Sequence, residues 1–286
     1  MIWGFAFVAQ LVGAEHVPAF TFNATRFFLG TLSLIPVILI FEKGKTDPAK
    51  LKITIIAAFG AGAILFTASA LQQYGVQLTS SAGKSGFITG LYMILVPIIG
   101  IFFKKKTTLN TWLGALVALV GLYLLSFPNG ITSIGIGDLI LLIGAFFWAA
   151  HIIVIDAFSD KIYSLRFSMI QFFVCALMNV VCVILFEDFS VSSLFAAKIP
   201  ILYAGLMSVG IAYTLQVIGQ RDADPTVASI VMSTESVFSA VGEALFFGLI
   251  MTNYAYTKMT PKGYLGCAIM FCGIIITQVT FKRKSK

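Results

Sequence analysis

Charge is scarce in this sequence. Charged residues occupy only 11% of its 286 positions, against about 25% in soluble globular chains. No polar stretch exceeds about a dozen residues, so no soluble domain of useful size fits between the apolar runs. There are only two histidines, His16 and His151, too few for a histidine-based metal site, and no His-Glu-x-x-His or paired-carboxylate motif occurs. A Gly-x-x-x-x-Gly-Lys-Ser/Thr loop is missing too, which excludes nucleotide hydrolysis as a power source on this chain. The four cysteines (Cys175, Cys182, Cys267, Cys272) lie inside apolar runs without metal-type spacing and read as buried free thiols. No cofactor and no catalytic residue is expected. The start Met1-Ile2-Trp3-Gly4 lacks the basic leader of a secretory signal.

Apolar residues, by contrast, make up 59% of the chain, and its mean hydropathy is +0.98. A soluble fold has too little polar surface to cover that much apolar material, so lipid is the solvent for most side chains. The approximate spans are 1–14, 18–41, 51–73, 80–103, 109–127, 136–157, 163–186, 196–219, 225–250 and 262–281. Charge and turn chemistry interrupt them, as at Lys104 to Lys106 and Pro128-Asn129-Gly130. The expectation is therefore an all-α membrane protein with ten transmembrane helices.

The net charge of +7 raises nucleic acid as a partner, but its distribution argues for a membrane face. Of the 19 Lys and Arg, fourteen fall on one side of the spans and three (Lys198, Lys258, Lys262) on the other; Arg26 and Lys84 lie within spans. That bias places both termini in the cytoplasm of a plasma-membrane protein. The Asn23-Ala24-Thr25 sequon lies inside the second span, where no glycan is attached.

Weak internal matches recur in order. Trp3 maps onto Trp148 and Arg26-Phe27-Phe28 onto Gln171-Phe172-Phe173, and Leu71-Gln72 with Gly75 map onto Leu215-Gln216 with Gly219. Gly114 and Gly121 match Gly266 and Gly273. Five spans per copy make the copies enter the membrane from opposite sides, as inverted repeats over residues 1–130 and 131–286. The span led by Trp3 is about ten residues shorter than its mate, which points to a start upstream of Met1.

Intramembrane polar groups are the candidate site. Glu235 lies near the middle of the ninth span, with Ser239 and Gly242 on its face and Ser229, Ser233, Ser236 and Glu243 on a neighbouring one. It either binds a substrate amine or accepts a proton, or else is a buried carboxylate held by a fixed cation or serines. Trp3, Gln72, Tyr92, Trp148, Tyr213 and Gln216 are candidate cavity liners, each equally readable as packing. His151 is either a proton relay or a hydrogen-bonded core histidine, the latter being more common. Arg26 is too deep to snorkel and is expected to form an ion pair between spans, with substrate contact as the alternative. Lys84 lies near a span end and is expected to snorkel. Gly86 and Gly90 have the spacing of close helix packing, within the chain or across a homodimer.

These residues together resemble the EamA-type branch of the drug/metabolite transporter superfamily. The similar segments are Trp3-Gly4-Phe5-Ala6-Phe7-Val8, Arg26, Ser81-Ala82-Gly83 leading into Phe87-Ile88-Thr89-Gly90-Leu91, Gly137-Asp138, Phe147-Trp148-Ala149, and Thr234-Glu235-Ser236-Val237-Phe238. The resemblance implies export or exchange of small metabolites, often amino acids or toxic compounds, through a central cavity by alternating access. Two departures stand out: the family's Glu-Pro reads Glu235-Ser236, which removes a proline kink, and its Gly-Glu reads Gly248-Leu249. An intramembrane enzyme acting on lipid-linked substrates is the competing class, for which no nucleophile–base cluster is present.

Overall fold

A computed structural model describes residues 1–44, 47–103, 107–127, 130, 134–188, 190–245 and 260–278. The described residues are helical, with no strand among them. The helices are α1 (Ile2–Ala14), α2 (Ala19–Phe41), α3 (Pro48–Thr79), α4 (Ala82–Gly90), α5 (Tyr92–Phe102), α6 (Leu109–Ser126) and α7 (Ile136–Phe158). They continue as α8 (Ser164–Phe186), the short α9 (Val191–Ala196), α10 (Lys198–Leu202), α11 (Thr214–Gly219), α12 (Pro225–Met232), α13 (Glu235–Leu245) and α14 (Pro261–Gln278). Among the described residues, six stretches are long and apolar enough to cross a membrane: Ala19–Phe41, Pro48–Thr79, Ala82–Phe102, Ile136–Lys161, Ser164–Phe186 and Lys198–Gly219. Ile2–Ala14, Leu109–Leu125 and Pro261–Thr277 are shorter apolar helices. Lys104 to Lys106, Pro128-Asn129, Gly248-Leu249 and the basic C-terminus lie outside the described residues.

Helix starts follow sequence chemistry. Asp47 and Asp224 each precede a proline and accept backbone N–H groups of the next turn, so α3 and α12 open with an acidic cap and a residue that needs no donor partner. Large apolar side chains such as Leu39, Phe102, Ile184 and Phe195 face outward, as expected where lipid is the solvent. Cys175 is buried, but Cys272 is exposed on that apolar surface, so the four thiols are free without all being internal.

Packing is pairwise. α6 lies against α14, α2 against α8, α3 against α7 and α8, α1 against α13, and α4 against α13. Between α6 and α14 the backbones touch: a Cβ on Gly121 or Gly266 would collide with the backbone of the other helix, and likewise for Gly114 and Gly273. Gly86 and Gly90 lie against Ser239 and Ser236 of α13, so their spacing serves contact within the chain.

Two glutamates tie α2 to α8 at opposite ends. Glu187, just past α8, accepts from Phe20 N and Thr21 N at 2.8 Å each and from the Thr21 hydroxyl at 2.9 Å. Glu42, just past α2, accepts from Leu165 N at 3.2 Å, and Arg166 donates to its backbone oxygen at 3.0 Å. Each carboxylate thus satisfies orphan donors at the start of its neighbour. Replacing Glu187 by Ala is expected to cost about 1–2 kcal/mol, the usual loss for an N-terminal cap. The measurement is the thermal midpoint of purified protein, and an unchanged midpoint would count against the capping role.

Two helical rods are interrupted. Only Leu91 separates α4 from α5, and Ser233-Thr234 separate α12 from α13. At the second break no proline is present. Ser229, Ser233 and Thr234 instead donate their hydroxyls to the carbonyls three residues back, at 2.7 Å each, which competes with the helical ladder. The interruption expected to vanish with the family's proline is therefore present, made by hydroxyls.

Candidate functional site

The interruptions place Tyr92 and Glu235 at the first positions of α5 and α13, and the two side chains meet: the Tyr92 hydroxyl donates to Glu235 Oε1 at 3.0 Å. Glu235 is buried, and it sits where the positive end of α13 favours a carboxylate. Around this pair lies a cavity of about 430 Å³, part of it open to the outside, lined from α1, α2, α3, α4, α5, α7, the 203–213 segment, α11, α12 and α13.

Seven of the eight proposed liners meet here: Trp3, Gln72, Tyr92, Trp148, Tyr213, Gln216 and Glu235. Arg26 joins them. Tyr213 is the centre of an aromatic box, with its ring 4.8 Å from Trp3 and stacked at 5.8 Å on Trp148. Phe27 and Phe172 close the box behind it at 6.3 and 6.1 Å.

His151 does not line the cavity. It is fully buried behind Trp148, edge-on at 6.1 Å, with Nε2 3.0 Å from Gln171 Oε1. It thus stands apart from the other proposed liners. Lys84 does not snorkel: its ammonium lies 2.7 Å from Asp138 Oδ2, which also accepts from Gly135 N at the start of α7. Asp138 supplies a protein partner across two helix ends where the snorkelling expectation had headgroups. Glu243 also stays outside the cavity, accepting from Gly83 N at 2.6 Å. Ser236 and Ser239 donate to the Gly86 and Ala82 carbonyls at 2.7 Å, so the serine face of this span packs on α4 rather than lining a solute path.

Arg26 corrects another expectation. No carboxylate among the described residues pairs with it. Its Nε donates to Asn23 Oδ1 at 2.9 Å, Asn23 is held by the Ser69 carbonyl at 3.1 Å, and the guanidinium lies 4.9 Å from the Phe27 ring centre. Asn23, the sequon residue, is fully buried.

Sequence reasoning missed Gln10 and Ser208 in the lining. Gln10 was findable, since Trp3, Ala6, Phe7 and Gln10 follow the i, i+3, i+4, i+7 rule of one helical face. It accepts from Gln72 Nε2 at 3.0 Å and so joins α1 to α3. Ser208 was not findable that way. Residues Tyr203–Tyr213 wind as a π-helix, whose i→i+5 hydrogen bonds widen the turn, and Ser208 and Tyr213 both reach the lining. No group of three or more His, Cys, Asp or Glu that could hold a metal exists among the described residues.

Replacing Lys84 by Met removes the partner of a mostly buried Asp138. The lysine is a quarter exposed, so solvent screening reduces the expected loss to roughly 1 kcal/mol. A double-mutant cycle with Asp138→Asn should show coupling between the two sites, and strict additivity would contradict the ion pair.

The EamA-like transporter family model matches residues 1–127 and 135–279. An uncharacterized transporter of Archaeoglobus fulgidus is 27% identical over 281 residues, spanning 98% of this chain and 83% of that protein. The uncharacterized transporter YoaV of Bacillus subtilis is 25% identical over 293 residues, covering 99% and 95% of the two chains. A crystal structure with 18% identity superposes with a TM-score of 0.72 over 97% of this chain and 98% of its own, which shows a shared fold.

Proposed function

Since the chain belongs to the EamA-like transporter family, within the drug/metabolite transporter superfamily, we propose that it carries small amphipathic metabolites, such as amino acids or related compounds, by alternating access. It works as an exporter or exchanger driven by a solute or proton gradient. The observation that carries this reading is the cavity, where a buried carboxylate, a buried guanidinium and an aromatic box share one space. Membrane proteins keep such charges where they face one another, water or a solute.

The proposal includes ten spans in two inverted halves, residues 1–130 and 131–286, with both termini in the cytoplasm of a cell-membrane protein. The helix pairs support it. α2 with α8 and α6 with α14 are each a pair of corresponding helices, α4 with α13 corresponds to α12 with α5, and α3 with α7 corresponds to the 203–213 segment with α1. Glu42 and Glu187, which play the same part, are spaced as Trp3 and Trp148 are. Two such halves rocking about a shared midplane site suit alternating access. Glu235 receives the amine of the solute or a coupling proton.

The test is tracer exchange in proteoliposomes preloaded with a mixture of unlabelled amino acids. Uptake of labelled amino acid should exceed that of protein-free vesicles and decay once the internal pool is spent. Uptake indistinguishable from empty vesicles across the mixture would defeat the transport reading as stated.

A further inference from the structure

The geometry points to a carboxylate-binding subsite at Arg26, so that the solute of this cavity is zwitterionic, with its anionic end on Arg26 and its cationic end toward Glu235. This inference rests on reading the cavity as the solute site, and it narrows the solute from amphipathic compounds in general to those bearing both charges.

Arg26 is 1% exposed, and Nη2 has no hydrogen-bond partner. A buried guanidinium lacking a counter-charge is costly unless something completes it. Nothing among the described residues does: Asn23 occupies Nε, and the rings of Phe22 and Phe27 flank the group at 5.6 and 4.9 Å. Asn23, anchored in turn on Ser69, fixes the fork's orientation. The neighbouring wall adds two more donors, because the indole N–H groups of Trp3 and Trp148 are buried and unpartnered. All three residues line the same cavity. Three unpartnered donors on residues of one lining suit a carboxylate, which takes several N–H bonds and pairs with a guanidinium in a planar fork.

The rest of the cavity sets the other end. Lys84 is engaged with Asp138, whereas the Arg26 side chain lines the space. Glu235 faces it as well and makes no ion pair with Arg26 among the described residues. Two opposite charges held apart across a cavity lose less when a solute carrying the complementary pair lies between them. A simple amine leaves Arg26 unsatisfied, and a simple acid leaves Glu235 so.

Three matched probes separate the possibilities: L-tryptophan, tryptamine without the carboxylate, and indole-3-propionate without the amine. Binding to detergent-purified protein is measured by isothermal titration. Tryptophan is expected to bind at least about tenfold tighter than either analogue, the size of one lost charge-assisted contact. In Arg26→Gln the tryptophan-to-tryptamine affinity ratio should fall close to one, and Arg26→Lys, which keeps the charge without the fork, should give an intermediate ratio. A ratio within one variant is insensitive to general damage, so a merely structural arginine would not move it. Tryptamine binding wild-type protein as tightly as tryptophan overturns the inference, as does an unchanged ratio in Arg26→Gln or binding of none of the three. Proteoliposome flux then separates the two readings. Arg26-dependent tryptophan binding without flux defeats transport and leaves the subsite standing; flux of tryptamine indifferent to Arg26 does the reverse.

Discussion

Glu235→Gln is expected to lower exchange in proteoliposomes roughly 30- to 150-fold, the range that follows from losing a charge-assisted contact of about 2–3 kcal/mol. The isosteric amide preserves shape and keeps an oxygen for the Tyr92 hydroxyl, now 3.0 Å from the carboxylate. What it removes is the negative charge facing the cavity. Glu235→Asp keeps that charge one methylene farther from Tyr92 and should give an intermediate rate. Stability should move the other way. Burying an ionised carboxylate costs free energy that one tyrosine hydrogen bond offsets only in part, so the neutral variant should melt at the same or a higher temperature. Initial rates normalised to folded protein, together with the thermal midpoint, decide the matter. Wild-type exchange by Glu235→Gln would remove this residue from the transport step.

The largest structural effect is expected at Gly121. A Cβ there meets the backbone of Met270 and Gly266, atoms that cannot swing aside. Gly121→Leu must therefore push α14 away from α6 and open the contact at Gly114 and Gly273 as well. Overpacking a close-fitted core costs about 1–3 kcal/mol, and a backbone–backbone contact belongs at or above the top of that range. Gly121→Leu should fail to elute as a single species after extraction, and Gly121→Ala should elute with a lowered midpoint. A Leu variant with the wild-type elution profile would show that the two helices are not held by this contact.

The membrane fold was legible because it rests on bulk properties: few charges, apolar runs of spanning length, and turn residues between them. The repeat offsets matched Gly114 with Gly266 and Gly121 with Gly273, whereas the fold packs Gly114 on Gly273 and Gly121 on Gly266. Site residues with a one-dimensional signature were also readable. Glu235 is a charge deep in an apolar run, and Trp3, Gln72 and Tyr213 are polar-tipped side chains at span depth.

What escaped has a common cause. Lys84 with Asp138, Glu243 with Gly83, and the serines of α13 with the α4 carbonyls are all meetings of distant helices, invisible to periodicity along one of them. Arg26 was given an ion partner on energetic grounds, and the fold supplies an asparagine and two aromatic rings in its place. Ser208 was hidden by a change of winding, since face rules for a 3.6-residue turn fail over a π-helix.

The glutamates between α2 and α8 bear on how the chain is assembled. Thr21 and the acceptor of its N–H are 166 residues apart. While the protein is being synthesised, the start of α2 is made long before Glu187 exists, and it must wait with bare amides near the membrane edge. Only when α8 has been threaded and its last turn emerges does that carboxylate arrive, and by then Glu42 is already in place to receive α8's own first turn. Completion of the later helix thus finishes the earlier one, and a ribosome stalled before residue 187 leaves a nascent chain whose second helix is still unsealed.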